Sequence, residues 1–182
     1  MTSVAAVEPQ NPMERPRIAK VTVNVAVGKS GEPLEKASKI LEGLTGQKPC
    51  HRLAKKTVKD FGVRKGEPIA CMVTLRRETA LSFLKKALAT VENKLPARSF
   101  DKRGNFGFGI KEHIEIPGTK YDPELGIIGM DVNVTVGRPG HRVVERRRAK
   151  SRLGVKHFVT PEESVRLVKE MFGVEVVGSD SE

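Results

Sequence analysis

The chain has 182 residues and carries 33 Lys and Arg against 22 Asp and Glu, a net charge of +11. That length buries a sizeable core as one domain, while such a charge excess opposes a solitary globule and implies a polyanionic partner. No apolar run of about 18 residues could span a bilayer and the start lacks a basic-then-apolar signal pattern, so a membrane is excluded and an intracellular nucleic-acid partner is expected.

Residues 1–16 hold prolines and little periodicity and read as an extended arm. Residues 18–27 then alternate, with Val21, Val23, Val25 and Val27 on one face and Lys20, Thr22, Asn24 and Ala26 on the other, which predicts a half-buried strand. A turn at Gly28-Lys29-Ser30-Gly31 precedes a helix entered at Pro33, striped by Leu34, Ala37, Leu41 and Leu44 and ended at Gly46. Residues 47–65 carry Arg52, Lys55, Lys56, Lys59, Arg64 and Lys65 with Asp60 as the one acid, and predict an exposed basic loop or hairpin, its loop proper at 51–65.

Alternation returns at residues 69–77: Ile69, Cys71, Val73 and Leu75 point inward, and Ala70, Met72, Thr74 and Arg76 outward. Leu81, Leu84, Leu88, Val91 and Leu95 predict one long amphipathic helix stopped by Pro96. The stretch 99–113 places Phe106 and Phe108 between Gly107 and Gly109, just after Lys102 and Arg103. Aromatic faces can stack on bases and the cations can meet phosphate, whereas the plainer reading is a glycine-rich hairpin whose Phe rings plug a core. A turn at 121–126 leads to a strand with Ile128, Met130, Val132, Val134 and Val136 on one side and Asp131, Asn133 and Thr135 on the other.

A second basic segment, 138–156, carries Arg138, Arg142, Arg146, Arg147, Arg148, Lys150, Arg152 and Lys156. Thr160-Pro-Glu-Glu163 predicts a capping box opening a helix striped by Val165, Val168 and Phe172, with Gly173 at its end. A brief edge strand at 174–177 and a polar tail at 178–182 complete the chain, so residues 17–177 form the single domain.

Three strands thus pair a Val-rich face with a face of amide, hydroxyl and cationic groups. Helices packed on the Val side give an α+β fold, a mainly antiparallel sheet whose open polar face suits RNA, with projecting basic loops. Other chemistries fit poorly. Gly28-Lys29-Ser30 follows a strand as a phosphate loop does, and Asp131 could hold a metal there. That loop, however, needs glycine where Val23 stands, and the helix begins too late to cradle a phosphate. No nucleophile pairs with a base and no carboxylates pair at a useful spacing, so no enzyme is expected. Cys50 and Cys71 form no Cys-x-x-Cys and the four histidines are scattered, so neither a disulfide scaffold, a metal site nor a cofactor is expected. The alternative is a single-stranded RNA-binding protein of the RNA-recognition type. Arg103-Gly104-Asn105-Phe106-Gly107-Phe108 resembles the aromatic strand of those modules with an inserted Asn, although the first strand here has no aromatic.

The chain also resembles, residue by residue, the large-subunit ribosomal protein family that binds 5S rRNA, universal protein number five. The matching segments are Asn24-Val-Ala-Val-Gly28, Phe61-Gly-Val-Arg64, Gly66-Glu-Pro-Ile69, Val73-Thr-Leu-Arg76, Ser99-Phe-Asp101, Arg103-Gly-Asn-Phe106, Gly109-Ile-Lys-Glu112, Tyr121-Asp122 and Gly129-Met-Asp131, in family order. Asn11-Pro-Met13, Leu44-Thr-Gly-Gln47 and Gly137-Arg-Pro-Gly140 resemble its archaeal and eukaryotic branch. The resemblance implies an α+β protein of the cytoplasmic ribosome, in the central protuberance, with its sheet side holding 5S rRNA. The implied partners are 5S rRNA, large-subunit rRNA, a neighbouring 5S-binding ribosomal protein, a small-subunit head protein across an intersubunit bridge, and peptidyl-site tRNA.

Carried onto this sequence, the 5S contact falls on Lys20, Thr22, Asn24, Thr74, Arg76, Asn133 and Thr135, with Arg103, Phe106 and Phe108 beside them. The tRNA-contacting loop falls on Arg52, Lys55, Lys56, Lys59, Arg64 and Lys65. Further rRNA contacts are expected from Arg138, Arg142, Arg146, Arg147, Arg148, Lys150 and Arg152, in a basic segment longer than in the bacterial form.

Overall fold

Strand β1 (Arg17–Ala26) is the spine of the molecule. In a computed structural model describing residues 11–119 and 122–178, it is hydrogen-bonded along both edges, antiparallel to β3 (Pro68–Leu75) and to β6 (Met130–Gly137). Adding β2 (Cys50–Leu53) outside β3 and β5 (Phe106–Ile110) outside β6 gives one antiparallel five-stranded sheet, ordered β2-β3-β1-β6-β5. Val21, Val23 and Val25 are fully buried together with Cys71, Val73, Leu75, Val132 and Val134 in a single core. Burial pushes the Cys71 thiol pKa up, as befits a residue acting as a small apolar side chain.

Two helices cover that apolar side. Helix α1 (Glu32–Thr45) packs on β3 through Leu34, Ala37 and Leu41 and ends where Gly46 takes a left-handed φ of 67°. Helix α2 (Arg77–Thr90) packs on β1 through Ala80, Phe83, Leu84, Ala87 and Leu88. It starts two residues after β3 ends, and Arg77 makes the tight corner with a φ of 56°.

The long helix expected to run to Leu95 ends sooner. Glu92 and Asn93 adopt left-handed φ values of 54° and 56°, and Asn93 N–H closes the helix on the Leu88 carbonyl at 3.0 Å. Leu95 is buried as predicted, but in β4 (Lys94–Pro96), which pairs in parallel with β7 (Glu175–Val177) as a separate small sheet. A spacing of seven from Leu88 satisfies a helix repeat equally well, so periodicity could not separate the two. Helix α4 (Pro161–Phe172) carries the predicted capping box, reciprocal between Thr160 and Glu163, and Gly173 as its left-handed cap. Its Ser164 hydroxyl donates to the Gly104 carbonyl at 2.6 Å, which ties α4 to the turn before β5.

Strand β6 begins at Met130, later than the alternation from Ile128 suggested. Ile128 is held instead by His113: its carbonyl accepts from His113 N–H at 3.1 Å, and its N–H donates to His113 Nδ1 at 3.3 Å, so that nitrogen is the unprotonated one. Gly129 then passes so close to the end of β5 that a Cβ on it would lie 2.8 Å from the Lys111 carbonyl oxygen and 3.2 Å from that of Ile110.

Those obstacles are backbone, so Gly129→Ala must separate β6 from the chain after β5 and should cost about 1–3 kcal/mol. Gly43, inside α1 with nothing within 4 Å of its Cβ direction, is the control. Gly43→Ala should stabilise by about 0.5–1 kcal/mol. Urea unfolding of both variants checks the contrast, and equal midpoints would refute the packing argument.

Candidate nucleic-acid interface

The helix-free side of the sheet is built from the residues that alternate with the core. In antiparallel pairing, residues opposite one another share a face. The register therefore lines up Thr74, Thr22, Asn133 and Gly107 in one cross-strand row, and Met72, Asn24, Asp131 and Gly109 in the next. Lys20 and Thr135 form a third pair, towards the β1 start. The side chains of Lys20, Thr22, Asn24, Thr74, Asn133 and Thr135 are solvent-accessible and have no hydrogen-bond partner among the described residues. Unpaired hydroxyl and amide groups on a flat face can bond ribose 2′-hydroxyls, phosphates and base edges.

Phe106 and Phe108 do not belong to this face, contrary to the stacking role expected of them. Their partners in register are Val134 and Val132, so both rings lie on the core side. Phe106 is only 3% exposed, with its ring 5.1 Å from that of Phe100, and Phe108 packs half-buried against the same core. What β5 offers the open face is bare glycine backbone. Arg103 lies apart, exposed, with its guanidinium 5.0 Å from the centre of the Phe158 ring.

At the β1 start the face runs into a cationic bay of ≈ 970 Å³. Arg17, Lys20, Arg76, Arg77, Arg142 and Arg146 line it, with Glu145 the one carboxylate in its wall. Two groups expected to act separately, the sheet residues and the start of the second basic segment, thus converge. Arg17, at the start of β1, and Arg77, next to Arg76 at the start of α2, were not singled out in the sequence and join the bay here. Short helix α3 (Arg142–Glu145) carries part of this wall.

Arg138 leaves the set of cations free for RNA. Its Nη2 bonds both carboxylate oxygens of Glu163 at 2.7 and 2.9 Å, its Nη1 donates to the Lys156 carbonyl at 2.7 Å, and the side chain is 14% exposed. It is a clamp closing the second basic segment onto α4. Arg146 donates through Nε to the Ala149 carbonyl, while Arg147, Arg148, Lys150 and Arg152 are exposed.

The first basic segment is an ordered hairpin. Arg52 lies within β2, opposite Ala70 on the helix-free side, so it belongs to the sheet edge more than to the loop. Beyond it Ala54 and Glu67 join by backbone hydrogen bonding at 2.8 Å, Val58 and Val63 bond reciprocally, and Lys59 to Gly62 forms the tip. Lys55, Lys56, Lys59, Arg64 and Lys65 are arrayed around this hairpin, and Phe61 stands 79% exposed at its tip, an aromatic that the surrounding charge pattern masks in the sequence. Glu67 staples the base: it accepts from the Ser30 hydroxyl at 2.5 Å and from Arg64 N–H at 3.0 Å. Among the described residues no three His, Cys, Asp or Glu converge as a metal site, and no helix is long and apolar enough to cross a membrane.

Comparison with known proteins decides the family. The family model described as Ribosomal protein L5 matches residues 11–64, and the model for the C-terminus of the same ribosomal family matches residues 68–171. The chain belongs to the ribosomal uL5 family. The large ribosomal subunit protein uL5 of Aeropyrum pernix is 57% identical over 169 residues, 92% of this chain and 88% of that protein. Those of Pyrobaculum aerophilum and Methanosphaera stadtmanae are 54% and 50% identical, over 91% of this chain and 93% and 99% of theirs. As a uL5 protein it is a structural component of the large ribosomal subunit, and not an enzyme.

The Glu67 staple gives the basic hairpin an acid-sensitive hinge. The Ser30 hydroxyl first, and the Arg64 N–H second, hold the Glu67 pKa below its usual value. Its contribution to hairpin order is therefore complete above the ordinary Glu value and lost as pH falls through the depressed one. In an amide NMR titration, Arg64 N–H should shift with a midpoint below about 4.3, the unperturbed Glu value. Glu67→Gln should abolish that step; a midpoint at the ordinary value would refute the staple.

Proposed function

We propose that the helix-free face binds 5S rRNA and attaches it in the central protuberance of the large subunit. The observation that carries this reading is two adjoining rows, Thr74, Thr22 and Asn133 in one and Asn24 in the next, whose side chains have no hydrogen-bond partner among the described residues and which the cationic bay borders. The neutral row supplies hydrogen bonds that depend on RNA shape and sequence. The bay supplies phosphate attraction, which is strong and indifferent to sequence. Large-subunit rRNA is the partner for the exposed cations Arg147, Arg148, Lys150 and Arg152, and the hairpin of Lys55, Lys56 and Lys59 reaches for peptidyl-site tRNA. A neighbouring 5S-binding protein and a small-subunit head protein complete the proposed surroundings. Burial of Phe106 and the core-side position of Phe108 weigh against the RNA-recognition alternative, which needs aromatics on the open face.

The combined variant Asn24→Ala, Thr74→Val and Arg76→Ala leaves the Val face untouched and should weaken 5S binding, each lost contact contributing about 1–3 kcal/mol where it is well paired. Filter binding across a salt series, with tRNA as competitor, measures it. Unchanged affinity, or equal affinity of the native protein for both RNAs, would overturn the reading.

Neutralising Lys55, Lys56 and Lys59 together should spare 5S occupancy of purified subunits, lower the salt slope by no more than about 0.9 per lost phosphate contact, and speed tRNA loss from the peptidyl site. Loss of 5S with undiminished tRNA retention would place the hairpin in the 5S site instead.

A further inference from the structure

One carboxylate sits where an RNA-binding face should not tolerate it. Asp131 lies on the open side of β6, between Asn24 of β1 and Gly109 of β5. It is exposed and has neither an ion pair nor a hydrogen bond to its carboxylate among the described residues. On a protein with a net charge of +11, an unpaired anion facing a polyanion weakens binding unless the RNA brings N–H donors to it.

The surroundings are shaped for a base. Asp131 and Asn133 stand two residues apart on the same face, beside a strip of β5 that has no side chains at Gly107 and Gly109. A Cβ on Gly107 would lie 2.7 Å from Asn133 Oδ1, and one on Gly109 3.8 Å from Asp131 Oδ1, so a side chain at either position would fill the space these groups overlook. With Ser99 as the far wall, the result is a shallow cavity of ≈ 410 Å³ whose floor is flat peptide. Glycine at such positions allows close approach of another molecule.

We propose that this cup reads the Watson–Crick edge of a guanine in the bound RNA, Asp131 accepting from the base and Asn133 bonding beside it. An ionised carboxylate only accepts, and its two oxygens match two adjacent donors. Guanine alone presents such a pair, N1–H and the N2 amino group; cytosine and adenine offer one amino group next to an acceptor, and uracil one N–H between two carbonyls. Bases displayed in loops or bulges expose that edge, whereas paired ones do not. The inference rests on the open face being the 5S rRNA site, and adds to it a base identity and the residue that selects it.

The test compares the native chain with Asp131→Asn, an exposed substitution that leaves the core alone. If the carboxylate is merely solvated, removing it lifts one repulsion and affinity for 5S rRNA rises. If it reads guanine, affinity falls about tenfold. Kethoxal, which attacks guanine at N1 and N2, should show one guanine protected by the native chain and reactive again with the variant. Inosine at that position, which lacks the N2 amino group, should weaken the native complex and leave the variant complex unchanged. Raised or unchanged affinity, or a loss of affinity with every guanine footprint intact, overturns the proposal while 5S binding stands. No preference of the native chain for 5S rRNA over tRNA overturns the parent reading, and this one with it.

Discussion

The two-sided pairing of β1 is the constraint on which the interface depends. Val21, Val23 and Val25 must face the helices because the residues alternating with them, Lys20, Thr22 and Asn24, cannot fill the core. Once they do, the period of two puts Lys20, Thr22 and Asn24 on the other side. Since β1 is hydrogen-bonded to both β3 and β6, its register also decides which of their residues join that side. A slip of one residue in either pair would put valines on the open face and amides in the core. The polar face is thus specified by core packing.

Much of this was legible beforehand because alternation records the two faces of a strand directly. The strands around Val23, Val73 and Val134, the α1 stop at Gly46 and the Thr160 capping box all followed from local rules. What local rules miss is the element lying across the sheet. Phe106 and Phe108 looked like stacking platforms beside Arg103, yet their register with Val134 and Val132 turns both to the core. Arg138 looked like one more surface cation; its use depends on Glu163, which is 25 residues away. Leu95 kept the helical spacing while belonging to another element, and the bay unites Arg17, at the start of β1, with Arg77, at the start of α2.

Concentrating cations in two segments creates a folding problem, since like charges repel in the compact state. The molecule meets it with a few carboxylates placed at the roots of the segments. Glu67 fastens the base of the first hairpin through Ser30 and Arg64. Glu163 serves twice: it closes the capping box with Thr160 N–H and receives Arg138. The start of α4 and the second basic segment therefore stand or fall on one side chain. Because Arg138 is mostly shielded from water, this pair is stronger than an exposed one, and truncating either partner would strand the other.

The same economy explains the layout of charge across the open face. Cations gather at the end where Arg17, Lys20, Arg76 and Arg77 meet, neutral hydrogen-bonding groups occupy the middle, and Asp131 marks the opposite end. A uniformly cationic face would bind any RNA in any orientation, because phosphate attraction carries no directional or sequence information. A graded face would favour one polarity in the proposed complex: backbone over the bay, sugars and base edges over the hydroxyl and amide rows, and no phosphate near the carboxylate. On the proposed 5S reading, affinity would come from one end of the sheet and discrimination from the other, and an RNA lying the wrong way round would lose both.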